Sequence, residues 1–358
     1  MRNSADIRRA IDSADSSPSA SDAEKAGLEY VNDGEPGIRR QRRGTGFTYL
    51  DSGGRRLRDR YAMARLRSLA IPPAWTDVWI CASENGHLQA TGRDAKGRKQ
   101  YRYHADFIAI RDSAKYERLV EFAKTLPAVR EDIAKQMALP GLPREKVLAT
   151  IVHLLDNTLI RVGNDSYARD NASYGITTLR NSHVKVTGGE LRFQFKGKSG
   201  KSWRLTLRDR RVARIIRSCQ DVPGQHLFQY LDEAGNALRI TSTDVNEYLR
   251  ALTGREVTAK DFRTWAGTVL AANLLHEIGR PDSPTAAKRQ IRAALHQVAA
   301  RLGNTVAICR KCYVHPSVLE AYAAGEFRLR RLAPKDGALR PEERATLRFL
   351  QRQIKSRP

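Results

Sequence analysis

Residues 183–208 read HVKVTGGELRFQFKGKSGKSWRLTLR. Apolar side chains alternate within HVKV, LRFQF and WRLTL, the signature of half-buried strands. Thr187-Gly188-Gly189 separates the first two runs, and the lysine-rich KGKSGKS separates the second from the third. The pattern predicts a three-stranded antiparallel meander whose second hairpin carries a cationic tip.

Helical periodicity surrounds this patch on both sides. In EKVLATIVHLLDNTLIRVG (145–163), Leu148, Ile151, Val152, Leu155 and Leu159 recur at helical spacing. Downstream, DRRVARIIRSCQ, STDVNEYLRAL and a segment from Thr258 to Leu275 are predicted helices. Another helix is expected from Ser283, with Pro284 at its first position, to Gly303 as its cap. A small sheet embedded in helices defines an α+β chain.

Upstream the character changes. GFTYLDSGG (46–54) is a short apolar run closed by Gly-Gly, and residues 77–104, DVWICASENGHLQATGRDAKGRKQYRYH, alternate around Asn85-Gly86. A helix is expected near RYAMARLRSLA, and KYERLVEFAKTLPAVREDIAKQMAL (115–139) is helical up to Pro140-Gly141-Leu142-Pro143. Residues 1–45, rich in Ser, Ala and Asp and ending in IRRQRRG, read as a disordered leader. The organisation expected is therefore a leader at 1–45, a β-rich domain at 46–115, a larger mainly helical domain at 116–335, and a charged helix and tail at 336–358.

The 358 residues carry a formal net charge of +24, with a sequence pI near 10.3. The first 46 hold as many acidic as basic side chains, so the whole excess lies on the part expected to fold. With 41% hydrophobic residues, wholly disordered basic proteins are excluded. A basic fold of this kind points to a polyanion, usually nucleic acid. No apolar run reaches the ~18 residues of a membrane helix. The amino terminus lacks a signal-peptide core, and four cysteines in this length make no disulfide framework, so the expected compartment is the reducing cytoplasm.

Familiar catalytic devices are missing. There is no GK[ST]-ended phosphate loop, and no acidic cluster suited to paired magnesium ions. Cys309-Arg310-Lys311-Cys312 has no second metal-binding pair, and Cys81 and Cys219 read as ordinary thiols. What stands out are cations at element ends. Arg161 closes the helix ending TLIRVGN, and Lys198 sits on the hairpin tip. Arg263 lies in KDFRTWAG, where Thr258 and Asp261 form a capping box that opens a helix. Arg263 is thus near a helix N-terminus, where the dipole favours an anion.

Taken in order, these cations and the segment LGNTVAICRKCYVHP (302–316) resemble the catalytic framework of type IB DNA topoisomerases, of the small poxvirus-like class also found in bacteria. IPPAWTDVWI (71–80) and GRDAKGRKQYRYH (92–104) resemble that family's N-terminal domain, and RVGNDSYARDNASYGITTLRNSHV (161–184) its first catalytic box. The resemblance covers nearly the whole folded chain. It implies a two-domain clamp around duplex DNA, the small β-rich domain facing a larger catalytic one. It implies relaxation of supercoils by transient single-strand cleavage without ATP, metal or cofactor.

Residue by residue, the resemblance makes Tyr313 the nucleophile that forms a 3′-phosphotyrosyl link. Arg161 and Arg263 become the arginines that hold the non-bridging oxygens, and Lys198 the acid that protonates the leaving 5′ oxygen. Asn304 stands where poxviral members carry His and many bacterial members Asn, as a donor to a phosphate oxygen. Arg98, Lys99, Gln100, Tyr101 and Tyr103 match a strand that lies against DNA, and Tyr167 a phosphate-contacting tyrosine. A monomer associated with the nucleoid, and no membrane partner, follow from the same likeness.

The chemistry is coherent. Two planar guanidiniums bind developing oxyanion charge bidentately without a metal. A phenol with an ordinary pKa of about 10 is neutral at pH 7 and needs cations beside it to react. A lysine that protonates the poor alkoxide leaving group typically supplies about 10²–10⁴-fold. The alternatives are a tyrosine recombinase, whose second box carries His where Lys260 stands here, and a basic DNA-binding protein without activity.

Overall fold

The computed structural model describes residues 20–355, apart from 96, 233, 331, 332 and 334–338. The chain is mixed α+β, as the patterning predicts. It divides into two compact units, Met1–Glu117 and Arg118–Pro358.

In the first unit, Gly37–Arg43 (β1), Gly46–Leu50 (β2), Thr76–Cys81 (β3), Leu88–Arg93 (β4) and Lys99–Tyr103 (β5) form one antiparallel sheet in the order β2-β1-β3-β4-β5. A short helix, Ala20–Lys25 (α1), precedes it, and Arg60–Ser68 (α2) begins at Asp59, whose carboxylate accepts from Ala62 N at 2.7 Å. One core gathers Ile38, Leu66, Val78, Ile80 and Ala90, and a smaller one gathers Trp79, Cys81 and Leu88.

The sheet corrects the expected disordered leader. Residues 1–19 lie outside the described residues, but IRRQRR of the basic run lies in β1, which pairs with β2 on one side and β3 on the other. Its one apolar residue, Ile38, is buried. The Arg40 guanidinium donates to the carbonyls of Ile71, Pro72 and Trp75 at 3.1, 3.0 and 2.8 Å, and lies over the Phe47 ring at 4.2 Å. Gly37 is obligatory, because a Cβ there would sit 2.2 Å from Trp79 Nε1. An arginine stem packed on apolar surface while its head caps carbonyls is a folded role that composition hides.

The helix Ala105–Gln136 (α3) starts ten residues earlier than the patterning predicts and spans the division between the units. In the second unit, Arg144–Thr158 (α4) is the central helix, with nine of its fifteen residues buried, and it packs against Ser242–Thr253 (α7) and Ala259–Ile278 (α8). Asp165–Asn171 (α5) and Arg210–Asp221 (α6) flank the predicted meander, which is Val184–Thr187 (β6), Glu190–Lys196 (β7) and Ser202–Arg208 (β8) in antiparallel order. A small hairpin, Gln229–Leu231 (β9) and Ala237–Arg239 (β10), precedes α7.

The remaining helices are Pro284–Leu302 (α9), Val306–Cys312 (α10), Pro316–Ala323 (α11) and Pro341–Lys355 (α12). Ser283 and Gly303 cap α9 as the sequence predicts. The terminal helix is not a solvated appendage. Glu343 of α12 is 4% exposed, takes two bonds at 2.8 Å from Arg130 of α3 and one at 3.2 Å from Trp265 Nε1, while Arg130 also holds Asp156 of α4. With Phe349 and Leu350 buried, α12 belongs to the core of the second unit.

Candidate active site

Helix α4 delivers Arg161 through a bend. Leu159 caps the helix in the left-handed conformation (φ 59°). Thr158 Oγ1 donates to Leu154 O at 2.6 Å and accepts from Ile160 N at 3.3 Å. The next loop is clamped from the other side: Ile176 N donates to Arg161 O and Thr177 N to Val162 O, both at 2.7 Å. A Cβ on Gly175 would lie 2.5 Å from Gly163 Cα and 2.6 Å from Arg161 O, so this approach requires glycine.

Arg263 comes from the second turn of α8, whose start is held by the Asp261 carboxylate accepting from Thr258 N and Oγ1 at 2.8 and 2.9 Å. Arg263 is only 3% exposed. Its Nη1 donates to Leu159 O, and its Nη2 to Leu302 O at 2.7 Å and Asn304 Oδ1 at 2.8 Å. Its Nε is buried without a hydrogen-bond partner among the described residues.

Asn304 joins the two arginines. Arg161 Nη2 donates to the same Oδ1 at 2.6 Å, so one amide oxygen bridges two guanidiniums. Gly303 in the left-handed region (φ 61°) turns the chain out of α9, and Asn304 N returns to Ala299 O at 3.0 Å. Among the described residues neither guanidinium has a carboxylate partner. Burial lowers Arg161 to about 10, and repulsion from Arg263 adds to this against the opposing pull of Tyr313 and Cys309. Burial likewise lowers Arg263, with Tyr313 opposing. Two like charges in a partly desolvated site without a counter-ion are poised for an anion.

Tyr313 follows α10 as its C-cap, with its N–H donating to Cys309 O at 3.0 Å, and the Arg263 Cζ lies 5.1 Å from the centre of its ring. Its backbone is seated on α8: a Cβ on Gly267 would lie 2.5 Å from Tyr313 O. Next to it, Thr268 Oγ1 donates to Thr264 O at 2.8 Å and accepts from His315 N at 3.1 Å. Arg161, Arg263, Asn304 and Tyr313, scattered over 153 positions of sequence, are thus brought into one site.

Lys198 occupies the tip between β7 and β8, exposed and without a polar partner among the described residues. The hairpin reaches the site through a residue that sequence reasoning missed: Lys201 Nζ donates to Asn304 O at 3.1 Å. Gly267 was also missed, and its only signal was glycine in mid-helix, between Arg263 and the helix centre.

The other expected contacts fall elsewhere. Tyr167 lies in α5, 39% exposed, its N–H capped by Asn164 Oδ1 at 3.1 Å. Arg98, Lys99, Gln100, Tyr101 and Tyr103 belong to the first unit, on or just before edge strand β5. Arg98 and Gln100 are held by Asp94 at 2.6 and 3.1 Å, and Lys99 by Asp33 at 2.6 Å. Tyr101 is 47% exposed and stacks on Tyr103 at 6.0 Å, and Tyr103 packs on Phe107 at 5.5 Å. Among the described residues no three His, Cys, Asp or Glu side chains are grouped to hold a metal. No helix among them is long and apolar enough to cross a membrane.

Arg263, buried, and Arg161, half-buried, share one amide oxygen beside a tyrosine that ends a short helix, an arrangement whose donors suit an oxyanion. Comparison with known proteins agrees in class. The family described as the catalytic core of eukaryotic DNA topoisomerase I matches residues 104–331, and the N-terminal domain of bacterial DNA topoisomerase IB matches residues 46–94. The chain is 35% identical to DNA topoisomerase 1B of Acanthamoeba polyphaga mimivirus over 293 residues, covering 80% of this chain and 87% of the viral one. It is 24% identical to DNA topoisomerase I of monkeypox virus and 23% identical to DNA topoisomerase 1B of vaccinia virus (strain Copenhagen), each over 270 residues, 73% of this chain and 82% of theirs. The chain belongs to the type IB DNA topoisomerase family.

Proposed function

We propose that this topoisomerase relaxes duplex DNA with Tyr313 as its nucleophile and Arg161, Arg263, Asn304 and Lys198 as its supporting set. The observation that carries the assignment is the pair of guanidiniums sharing Asn304 Oδ1 with no carboxylate partner among the described residues, 5.1 Å from the Tyr313 ring at Arg263. A phosphodiester supplies the missing negative charge. Arg161 and Arg263 donate to its non-bridging oxygens. The Asn304 amide nitrogen donates beside them.

The Tyr313 phenol, losing its proton to solvent under the influence of both cations, attacks phosphorus. A bond forms between the phenolic oxygen and phosphorus as the bond from phosphorus to the 5′ oxygen breaks, and Lys198 passes its proton to that oxygen. The DNA is left with a 3′-phosphotyrosyl link and a 5′-hydroxyl, which attacks in reverse after the free end rotates. The phosphotyrosine conserves the bond energy, so no ATP enters, and the cations leave no step for a metal.

The same reading has each unit meet the duplex, exposed Tyr101 and Lys99 of β5 in the first and Tyr167 of α5 in the second touching the backbone. Arg98 and Gln100 exchange Asp94, and Lys99 exchanges Asp33, for phosphate, while Tyr103 braces the strand. The enzyme acts as a monomer on nucleoid DNA. Plasmid relaxation in EDTA without ATP, wild type beside Tyr313→Phe, tests the chemistry. Wild type should relax and the variant should be inert while still binding DNA; supercoils left intact by the wild type, or relaxed equally by the variant, would falsify it.

A further inference from the structure

We propose that Lys201 and Trp203 are positioning residues that latch the hairpin carrying Lys198 onto the Asn304 loop, so that the proton donor and the arginine pair are set by one residue. The inference rests on Lys198 being the general acid. Lys198 itself is exposed at the hairpin tip and makes no polar contact among the described residues, so where its amine points depends on where the hairpin is held. A long unpaired lysine side chain supplies no placement of its own.

The hairpin is held at three places. Lys201 Nζ donates to Asn304 O at 3.1 Å, while Asn304 Oδ1 accepts from both catalytic guanidiniums. Trp203 fills the gap between hairpin and loop. A Cβ on Gly303 would sit 2.8 Å from its Cζ2, and one on Gly197 2.7 Å from its Nε1, so the indole edge lies against two bare backbones. Its other face stacks on Phe195, with centroids 6.1 Å apart. On the opposite flank Tyr174 N donates to Lys196 O at 2.8 Å and Ser173 Oγ to Gly197 O at 3.2 Å. Those residues adjoin Gly175, which clamps the Arg161 loop. Within the turn, Gly197 N donates to Lys201 O at 2.8 Å and Gly200 N to Gly197 O at 3.0 Å. The tip therefore moves as a unit, and displacing Lys201 displaces Lys198.

The latch is tested by single-turnover cleavage at saturating DNA, on an ordinary phosphodiester and on a 5′-bridging phosphorothiolate. The thiolate leaves without a proton, so it makes a general acid dispensable. Lys198→Ala should be slow on the first substrate and largely restored on the second. Lys201→Met, an exposed change that the fold tolerates, should be slower by about fivefold on the phosphodiester, the worth of one hydrogen bond. It should be restored on the phosphorothiolate, and Lys201→Arg should recover most of the rate. Trp203→Leu should behave as Lys201→Met does. In the double variant Lys198→Ala/Lys201→Met, the second change should add nothing.

A Lys198→Ala defect equal on both substrates overturns the general-acid reading and the latch with it. A restored Lys198→Ala beside a Lys201→Met that is unimpaired, or equally impaired on both substrates, overturns the latch alone. Additive defects in the double variant would make Lys201 act independently of Lys198, and likewise overturn it.

Discussion

Replacing Asn304 by aspartate converts the shared acceptor into a permanent counter-ion. Arg161 Nη2 and Arg263 Nη2 lie 2.6 and 2.8 Å from Oδ1, so the change needs no new geometry. With charge centres about 4 Å apart and an effective dielectric of about 20, each pair gains about 4 kcal/mol of attraction. Desolvating the new carboxylate returns several of these, leaving a net stabilisation of about 2–4 kcal/mol. The free protein should therefore melt about 5 °C or more above wild type. The carboxylate also occupies the place of the phosphate charge and cannot donate to it. Losing about 4 kcal/mol of transition-state binding slows single-turnover cleavage by about 10³-fold.

The pH dependence has a definite sign. Both guanidiniums depress the introduced carboxyl, so its stabilisation is fully present above the ordinary aspartate value of about 4. It is lost as pH falls through the depressed value, so the two melting curves converge in acid. Asn304→Ala, which removes the acceptor without adding charge, should melt below wild type. An aspartate variant that melts no higher, or cleaves within tenfold of wild type, would refute the uncompensated arginine pair.

Gly267→Ala places a methyl 2.5 Å from Tyr313 O and should slow cleavage by at least about tenfold with DNA binding unchanged; equal rates would show that the backbone contact does not set the nucleophile. Arg130→Met leaves buried Glu343 without its cation and Asp156 with only the longer Arg340 contact at 3.6 Å, and should cost about 3–5 kcal/mol in chemical denaturation. Burial pushes Glu343 up, but the Arg130 bonds and charge and the Arg340 backbone N–H outweigh it and hold the carboxyl below its ordinary range. Its contribution is present above about pH 4.5 and lost as pH falls through the lowered value, so wild type should destabilise in acid and the variant should do so less. DNA affinity should fall steeply with salt, and Lys99→Ala should lower the slope of log K against log salt by about one; an unchanged slope would mean that Lys99 keeps Asp33 and never meets phosphate.

The meander, the helix caps at Thr258, Ser283 and Gly303 and the order of the elements were legible because each is local: alternation, a capping side chain, a glycine where φ is positive. The family was legible in the order of Arg161, Lys198, Arg263, Asn304 and Tyr313. The way those residues meet was not. That Asn304 bridges both arginines, and that Leu159 and Leu302 carbonyls aim Arg263, depends on the ends of α4 and α9 meeting the first turns of α8, which no spacing encodes. Composition misled at the amino-terminal end, where IRRQRRG looks solvated although Ile38 is buried and the Arg40 head caps three carbonyls. It misled again at α12, where Glu343 looks like one more surface charge until Arg130 and Trp265 are placed around it.

Strand β1 also bears on where this protein can be cut. The match to the bacterial N-terminal domain begins at residue 46, immediately after β1. β1 is an inner strand, lying between β2 and β3. A fragment begun at that boundary would lose the partner of both neighbours, leaving β2 without a sheet and the hydrogen-bonding edge of β3 bare. An open edge beside Ile80 and Val78 is a template for pairing with another copy. Such a fragment would gather into aggregates while its catalytic residues were all intact, and its silence in an assay would report a missing strand.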